Sequence, residues 1–308
     1  MIFNKKSKKT EKSIKSLIDA REYFTNKDLL SFDAEIYSTL DLHIHTCFSD
    51  GDMTPSEIVR DWINKGCKTI AITDHDGLEG SIIGMDESIG RGIHFVSGIE
   101  IDSCIEDMKD IHILGYGIEY SEEKLNKTLF EMLMWRARRN DELRYELIKL
   151  GYNVCIDDLI NVNEGRFIGK NTFAKVLCNK GYATDVSNVF NEIFRNNDSI
   201  RNIHKKTLSS PCAIDMIHEA GGLAIIAHPM ENRHLGESID AFMPRIERFL
   251  QEAIEWGIDG IEVFHPSADL FQRRFLLEFV EKHDLIATAG SDFHSYARNR
   301  DFSRYHST

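Results

Sequence analysis

The sequence lacks several features that would place it in a particular class of protein. Its 308 residues contain no apolar run near 18 residues, so no membrane-spanning helix is predicted. The N-terminus has neither the apolar stretch nor the small-residue cleavage site of a secretory signal. The six cysteines include no C-x-x-C pair, which argues against a cysteine zinc site or a disulfide framework and favours reduced thiols in the cytoplasm.

An excess of positive charge is also absent. The formal net charge of −13 argues against broad affinity for nucleic acid or for a membrane surface, although it leaves room for a local basic pocket. The first 16 residues are the exception, because six lysines against one glutamate give them a charge of +5. A solvated, frayed terminus explains this segment more simply than nucleic-acid binding does. We treat residues 1–38 as a basic, partly helical extension without an assigned role.

From residue 39 onward, short apolar runs alternate with helix-like stretches. Strands are predicted at 38–44, 69–72, 94–98, 111–116, 223–227, 260–264 and 285–289. The alternation indicates an α/β fold with a mostly parallel sheet. Seven strands buried on both faces fit a closed (β/α)7 barrel of the TIM type better than a doubly wound open sheet.

One long segment interrupts this alternation. Residues 122–209 show helical patterns and no convincing strand. An insertion of this size between two strands predicts a small helical lid domain. The barrel would then consist of residues 39–121 and 210–308.

Histidines and carboxylates recur at or near the ends of the predicted strands. Each one by itself has an ordinary explanation as a turn, surface or core residue. Their recurrence in strand order is informative, because barrel enzymes place their active sites at the carboxyl ends of the strands. The candidate metal ligands are His43, His45, Asp50, His75, Glu100, His112, His228, Asp292 and His294.

This set combines imidazoles and carboxylates without a thiolate, which favours Zn²⁺, Mn²⁺ or Fe²⁺ over Mg²⁺. Nine ligands are too many for one ion, so two or three ions with a bridging carboxylate are expected. Clustered metals are typical of enzymes that attack phosphate. Four further carboxylates could orient the ligand imidazoles through hydrogen bonds without binding metal themselves: Asp41, Asp74, Asp76 and Glu262.

The ordered motifs "HIHTCFSDG", "ITDHD", "GIEI", "AHP" and "GSDFH" resemble those of the PHP family, named after polymerase and histidinol phosphatase. The resemblance covers about residues 39–297. It implies a distorted (β/α)7 barrel with a trinuclear metal site. By motif, the first metal would be held by His43, His45, Glu100 and Asp292, the second by Glu100, His112 and His228, and the third by Asp50, His75 and His294.

The helical insertion resembles that of a PHP subgroup of nucleoside 3′,5′-bisphosphate phosphatases and 5′-to-3′ exonucleases that act on short RNA. This subgroup carries patterns like "R-N" and "I-G-R-P-H", where this chain has Arg139-Asn140 and "IGKNTFA". Lys170 therefore stands where an arginine is usual, and a lysine cannot hold a phosphate in the bidentate way of an arginine.

The sequence thus predicts a phosphoesterase that cleaves phosphate monoesters of nucleotides through a metal-bridging hydroxide. Arg139 and Lys170, with Arg138 as a secondary helper, are expected to hold a substrate phosphate. His265, which follows the sixth strand, is expected to contact substrate or to donate a proton to the leaving oxygen. The expected partner is a small phosphorylated substrate or the end of a short RNA, with no membrane and no stable protein partner.

Two other functions stay open at this point. An amidohydrolase-type barrel also begins with H-x-H and ends with an aspartate on a strand, but it usually needs a modified lysine that these strands do not offer. A non-catalytic PHP module that only binds metal is the second alternative. The presence of all nine candidate ligands argues against it, because degenerate modules tend to lose some of them.

Overall fold

The computed structural model describes residues 8–23, 35–105, 108–163 and 167–296. Its strands are β1 (Leu40–Asp41), β2 (Thr69–Ile70), β3 (His94–Phe95), β4 (Gly98–Ile105), β5 (Met108–Tyr116), β6 (Leu208–Ser209), β7 (Leu223–Ile226), β8 (Gly260–Phe264) and β9 (Ile286–Ala289). Its α-helices are α1 (Lys8–Ile18), α2 (Glu35–Thr39), α3 (Pro55–Asn64), α4 (Glu79–Ser88), α5 (Glu123–Lys149), α6 (Ile156–Asn163), α7 (Lys170–Asn179), α8 (Val186–Asn188), α9 (Asp198–Arg201), α10 (Ser210–Glu219), α11 (Ile239–Glu255) and α12 (Leu270–Lys282). The chain therefore has the predicted α/β organisation.

The strands form two sheets, one of three strands and one of six. The smaller sheet has the order β1-β2-β3, and both of its pairings are parallel. The larger sheet has the order β6-β4-β5-β7-β8-β9. Strand β5 runs antiparallel to β4 and to β7, whereas the remaining pairings are parallel. The expectation of a mostly parallel sheet holds, with β5 as the exception.

The β4–β5 hairpin corrects one detail of the predicted strands. The motif "GIEID" was expected to follow the third strand, but it opens a strand of its own, β4. Ile99 and Ile101 are buried on one face of β4, and Glu100 lies between them on the other face. The polar residues on this second face conceal the strand pattern, because they point toward the candidate site instead of solvent.

A single closed barrel was expected, and the structure does not confirm it. The two sheets nevertheless approach each other at both edges. At one edge, the Leu42 N–H donates to the Ala289 carbonyl at 3.0 Å. At the other, the Glu100 N–H donates to the Asp74 carbonyl at 3.2 Å. These hydrogen bonds bring the ends of β1, β2, β4 and β9 together around one centre.

The apolar core has separate parts for the sheets and for the helical segment. The main core joins the large sheet to the helices around it and includes Ile113, Ile225 and Ile261. A second apolar cluster belongs to residues 143–203 and includes Leu147, Phe173 and other side chains of α5 to α9. The described residues of segment 122–209 form helices joined by loops, as expected, and the two-residue strand β6 at its end is too short to produce a sequence pattern.

The N-terminal extension packs onto the main core where it is described. Ile18 and Ala20 are fully buried, and the Arg21 guanidinium donates to the Leu285 carbonyl at 2.7 Å. Residues 1–7 and 24–34, which the predicted extension also includes, lie outside the described residues. None of the helices in the described part of the chain has the length and apolar character needed to cross a membrane.

Helix α3 turns the chain back directly after the H-x-H segment. Thr54 accepts a hydrogen bond from the Glu57 N–H, and the Glu57 carboxylate accepts from the Thr54 N–H at 2.8 Å. This reciprocal capping box, with Pro55 in the first turn, fixes where the helix begins. The loop between β1 and α3 is thereby held at both ends, and it carries three of the candidate ligands.

Candidate metal centre

The H-x-H segment after β1 alternates between core and site. Leu42 and Ile44 are fully buried in apolar clusters, so His43 and His45 point to the opposite side. The Nε2 atoms of the two histidines lie 3.1 Å apart. Both side chains are completely buried, which is unusual for a histidine pair unless other polar groups satisfy it.

Glu100 of β4 lies at the centre of the candidate ligands. Its Oε1 atom is 2.9 Å from His112 Nδ1 and 3.1 Å from His228 Nε2. Its Oε2 atom is 3.1 Å from His75 Nδ1 and 3.2 Å from His45 Nε2. One carboxylate therefore contacts histidines from four separate segments of the chain.

Asp292 and His294 connect the remaining ligands to this centre. Asp292 Oδ1 lies 3.1 Å from His45 Nε2 and 3.5 Å from His43 Nε2. His294 Nε2 lies 3.1 Å from Asp50 Oδ1, and His75 Nε2 lies 3.8 Å from the same oxygen. The structure thus brings all nine sequence-predicted metal ligands into one connected cluster.

The side chains of this cluster fit divalent cations. Within the described residues, buried atoms that make no hydrogen bond include Glu100 Oε2, His75 Nδ1 and His228 Nδ1. Buried polar atoms without a hydrogen bond are costly in a protein unless another group satisfies them. Histidines, aspartates and glutamates of the cluster form groups of three or four whose possible ligand atoms lie within 4.8 Å of one another. Imidazole nitrogens and carboxylate oxygens in this arrangement suit zinc, manganese or iron.

Mutual electrostatic fields shift the pKa values in the cluster. Burial alone would lower the pKa of His43, but the carboxylates of Glu262 and Glu100 raise it well above its usual range. Burial alone would raise the pKa of Glu100, but the surrounding histidines hold it well below its usual range. Burial lowers the pKa of His75 to about 4. The cluster favours ionised carboxylates beside imidazoles, and bound cations can replace the protons on those imidazoles.

Of the four predicted orienting carboxylates, Glu262 contacts a ligand imidazole directly and Asp74 acts through a serine. Glu262 Oε1 lies 3.0 Å from His43 Nδ1, and Glu262 Oε2 accepts a hydrogen bond from the backbone N–H of His228 at 2.8 Å. Asp74 acts through Ser49, whose hydroxyl donates to Asp74 at 2.5 Å and lies 3.2 Å from His45 Nδ1. Such outer carboxylates fix the orientation and the tautomer of ligand histidines.

The other two carboxylates have different partners. Asp41 accepts hydrogen bonds from Trp62 Nε1 at 2.8 Å and from Ser291 Oγ at 2.7 Å, so it anchors the loop before Asp292. Asp76 accepts from Arg136 Nη2 at 2.6 Å and from Lys205 Nζ at 2.7 Å. Asp76 therefore joins the β2 end to the helical segment instead of orienting an imidazole.

Backbone geometry around the cluster is constrained. A Cβ atom at Gly290 would lie 2.2 Å from His43 Cβ and 2.4 Å from Glu262 Oε1, so only glycine fits there. His228 and Asp292 have φ angles of 25° and 49°, in the left-handed region that non-glycine residues rarely adopt. Such strain is typical of functional sites, where the surrounding structure maintains it.

His265 lies beside the cluster, as the sequence position after the sixth predicted strand suggests. Its Nε2 atom is 3.6 Å from Asp292 Oδ2, and its Nδ1 atom is 2.7 Å from Ser267 Oγ. Burial alone would lower the pKa of His265, but contact with Asp292 and the charge of Glu262 raise it. The ring is only 1% exposed, so it faces the cluster and not bulk solvent.

The predicted phosphate-binding residues are less directly connected to the cluster. Arg139 of α5 is buried, and burial lowers its pKa to about 10. Lys170 is half-buried at the first position of α7. Arg138, the secondary helper, is exposed on α5. None of the three is among the described residues that line the cavity next to the cluster.

That cavity, of about 680 Å³, lies between the site and the helical segment. Its lining includes His75, Asp76, Arg136, Arg144, Phe48 and Phe167. Arg136 also contacts the Phe167 ring at 4.4 Å.

Sequence reasoning missed Arg136 and Lys205. Arg136 could have been found from its spacing, because it lies one helical turn before Arg139 on α5. Lys205 had no comparable signal.

Comparisons with known proteins agree with this geometry. The PHP domain family matches residues 41–192. A 5′-3′ exoribonuclease of Haemophilus influenzae is 29% identical over 258 residues, which cover 82% of this chain and 89% of the relative. A 3′,5′-nucleoside bisphosphate phosphatase of Chromobacterium violaceum is 29% identical over 259 residues, which cover 84% and 88%. A solved structure from Bifidobacterium adolescentis, described as a candidate metal-dependent phosphoesterase, is 30% identical with a TM-score of 0.71 and covers 83% of this chain and 88% of that one.

Proposed function

Because the chain belongs to the PHP domain family, we propose that its buried cluster hydrolyses phosphate esters of nucleotides. The protein is a metal-dependent phosphoesterase. The observation that carries the proposal is the convergence of five histidines on the single carboxylate of Glu100: His43, His45, His75, His112 and His228. Clustered cations are the usual means of attack on a phosphate ester.

Three metal positions are consistent with the contacts in the cluster. Their proposed residues are His43, His45, Glu100 and Asp292 for the first, Glu100, His112 and His228 for the second, and Asp50, His75 and His294 for the third. The two oxygens of Glu100 face different histidines, which suits a bridging carboxylate. When bound, the cations supply Lewis acidity that lowers the pKa of water and neutralises charge on phosphoryl oxygens.

His265 is the proposed proton donor to the leaving oxygen. Its Nε2 atom faces the cluster near Asp292, while Ser267 fixes Nδ1 on the other side of the ring. A ring held in one orientation loses little entropy when it acts on a bound substrate. Contact with Asp292 raises the pKa of His265, which is the direction that a general acid requires.

The substrate is proposed to bind in the cavity beside His75. Phe48 and Phe167 offer apolar surface for a nucleoside, and Arg136 and Arg144 offer positive charge for a phosphate. The Nε atoms of Arg139 and Arg144 are buried and make no hydrogen bond within the described residues, which suits an anionic ligand. Arg139 and Lys170 are proposed to assist in holding a phosphate group from α5 and α7. The named relatives, an exoribonuclease and a bisphosphate phosphatase, favour a 3′,5′-bisphosphonucleotide or a short oligoribonucleotide over an amide substrate.

We propose a domain organisation that separates the strand-containing segments from the helical segment. Residues 39–121 and 210–308 would form the distorted (β/α)7 barrel, and the hydrogen bonds at both sheet edges support its closure. Residues 122–209 would form the helical insertion, whose separate apolar cluster supports an independent packing unit. The insertion then borders the substrate cavity through α5.

A substrate screen with metal analysis on the same sample tests this function. Purified protein is assayed on mononucleotides, nucleoside 3′,5′-bisphosphates, short RNA and histidinol phosphate. We expect phosphate release from a nucleotide substrate and loss of that activity in His45→Ala. His218→Ala is the matched control, since His218 pairs with Asp259 at the surface and should leave activity unchanged. Full activity in His45→Ala, or in excess chelator, would contradict the proposal.

A further inference from the structure

Two of the candidate ligand histidines contact Asp102 through one ring nitrogen and another carboxylate of the cluster through the second. His75 Nε2 faces Asp50 at 3.8 Å, and His75 Nδ1 lies 2.8 Å from Asp102 Oδ1 and 3.1 Å from Glu100 Oε2. His112 Nδ1 faces Glu100 at 2.9 Å, and His112 Nε2 lies 3.5 Å from the same Asp102 oxygen. The two histidines belong to different proposed metal positions, yet they share this carboxylate.

A shared carboxylate has a defined chemical role at a metal centre. A histidine that binds a metal through one nitrogen carries its proton on the other, and this N–H is usually held by a carboxylate. The contact fixes the tautomer, the ring plane and the basicity of the ligand nitrogen. Asp102 Oδ1 is buried, and within the described residues no group other than these two rings is placed to donate a hydrogen bond to it, so it is available for this role.

The fold places Asp102 at this point. Strand register pairs Asp102 of β4 with His112 of β5 directly, and Glu100 lies two residues earlier on the same face. The Asp102 N–H donates to Asp76 Oδ1 at 2.9 Å, which ties β4 to the end of β2 next to His75. The orientation of the Asp102 backbone is therefore fixed from both sides.

A lysine from the helical insertion holds the other carboxylate oxygen. Lys205 Nζ contacts Asp102 Oδ2 and also lies 2.7 Å from Asp76 Oδ2. Arg136 of α5 contacts the same Asp76 oxygen at 2.6 Å. Two carboxylates and two cations thus form a charge network between the insertion and the strands. Asp102 and Lys205 are both less than one-fifth exposed, so solvent screening of their pairing is limited.

We propose that Asp102 is a positioning residue that serves two metal positions. Asp102 orients His75 and His112, and Lys205 of the helical insertion holds Asp102 in place. The inference rests on the proposed function, because it requires the cluster to bind divalent cations. It goes beyond the nine ligands and the orienting carboxylates predicted from sequence. Its consequence is that the insertion influences metal binding without supplying a ligand.

Metal binding by Asp102→Asn tests the proposal directly. The variant keeps the shape of the side chain and removes its charge. The stripped protein is titrated with Zn²⁺, and metal retained after dialysis is counted. We expect ~10–100-fold weaker binding, the range typical of outer carboxylates, and loss of more than one ion per chain. Asp215→Asn, on the exposed face of α10, is the matched control and should bind zinc like the wild type.

Two further variants separate a positioning role from other roles. Lys205→Met should weaken zinc binding in the same direction, because Asp102 loses its anchor. Asp102→Cys reports direct ligation: thiolate ligation of Co²⁺ would add a charge-transfer band to the near-ultraviolet spectrum, and Ser103→Cys on the opposite face of β4 supplies the background. We expect no added band for Asp102→Cys, and its appearance would overturn the proposal in favour of a ligand.

A purely structural role makes a different prediction. It would lower the melting temperature of the metal-free protein and leave the increase caused by added Zn²⁺ intact, whereas the proposal requires that increase to shrink. Wild-type zinc affinity in Asp102→Asn would overturn the proposal while leaving the proposed function standing. If the wild type itself binds no divalent cation, the proposed function fails first. Should Asp102→Asn not fold, Lys205→Met carries the test by the same criterion.

Discussion

The metal centre and the helical insertion beside it are built in opposite ways. In the metal centre, most side chains are polar and buried, and they contact other polar groups, as Glu262 contacts His43. In the insertion, stability comes from an apolar cluster around Leu147 and Phe173. Polar side chains of the insertion, such as Arg136, reach toward the site from its edge.

This difference separates two tasks, namely holding reactive groups in place and recognising a substrate. Reactive groups that must be fixed to fractions of an ångström lie at strand ends, where backbone hydrogen bonds and neighbouring carboxylates immobilise them. The proposed substrate surface belongs in part to helices, whose own core can vary without displacing a proposed metal ligand. We therefore expect changes in the metal centre to abolish turnover, and changes in the insertion to alter stability or substrate affinity.

The largest effect is expected for Glu100→Gln. Loss of the bridging charge removes a ligand from two metal positions, and Lewis-acid stabilisation by metals is worth several kcal/mol, so activity should fall by at least ~100-fold. Metal content measured on the same sample should also fall. A variant that retains both its metal and its activity would show that Glu100 is not central to the site.

Phe173→Ala tests the opposite region. Phe173 of α7 is fully buried in the insertion cluster, so its truncation should destabilise the protein by ~3–5 kcal/mol in denaturant unfolding. The metal content of the folded protein should stay at the wild-type value, because none of the proposed ligands belongs to this cluster. Loss of metal in the folded variant would break the proposed separation between the two regions.

Gly290→Ala introduces one methyl group into the tight backbone behind the metal centre. The new Cβ would overlap His43 Cβ and Glu262 Oε1, so we expect ~1–3 kcal/mol of destabilisation from overpacking. The displaced His43 should also bind metal more weakly, which zinc titration measures. Gly236→Ala is a useful comparison, since a Cβ there meets no neighbouring atom and only its φ of 79° is strained. Equal zinc affinity in both variants would contradict the role of Gly290.

The smallest effect is expected for Arg139→Ala. Loss of one phosphate-binding guanidinium should raise KM for phosphorylated substrates by roughly tenfold, the equivalent of ~1.4 kcal/mol, with little change in metal content. Steady-state kinetics with wild type and with Arg248→Ala, an exposed arginine of α11, separates the specific effect from general loss of charge. An unchanged KM in Arg139→Ala would remove this residue from the substrate site.

The nine candidate ligands could be predicted from the sequence because each follows or lies on an apolar segment that forms a strand. His43 and His45 alternate with buried Leu42 and Ile44, and this period of two is visible without a structure. The capping box at Thr54 and Glu57 is equally local, because its two residues lie three apart in the chain. Local patterns thus indicated both the strand ends and the candidate ligands that lie near them.

Features that depend on tertiary contacts were not accessible in the same way. The antiparallel direction of β5 depends on its pairing with β4 and β7, which the apolar pattern of β5 does not specify. The "GIEID" strand was hidden because Glu100 and Asp102 face a polar site. The contacts of Lys205 with Asp76 and Asp102 bridge more than 100 residues of sequence, and no local spacing encodes them. Closure of one barrel likewise depends on edge pairing between distant strands, and it stays a proposal.

The central claim is that this cluster binds divalent cations that are required for phosphoester hydrolysis. The most direct test is to strip the wild-type protein with a chelator and to measure phosphatase activity while Zn²⁺ or Mn²⁺ is titrated back. We predict that stripping abolishes activity and that activity returns with a break at two or three metal equivalents per chain. Full activity in the stripped protein, verified to be metal-free by elemental analysis, would contradict the account.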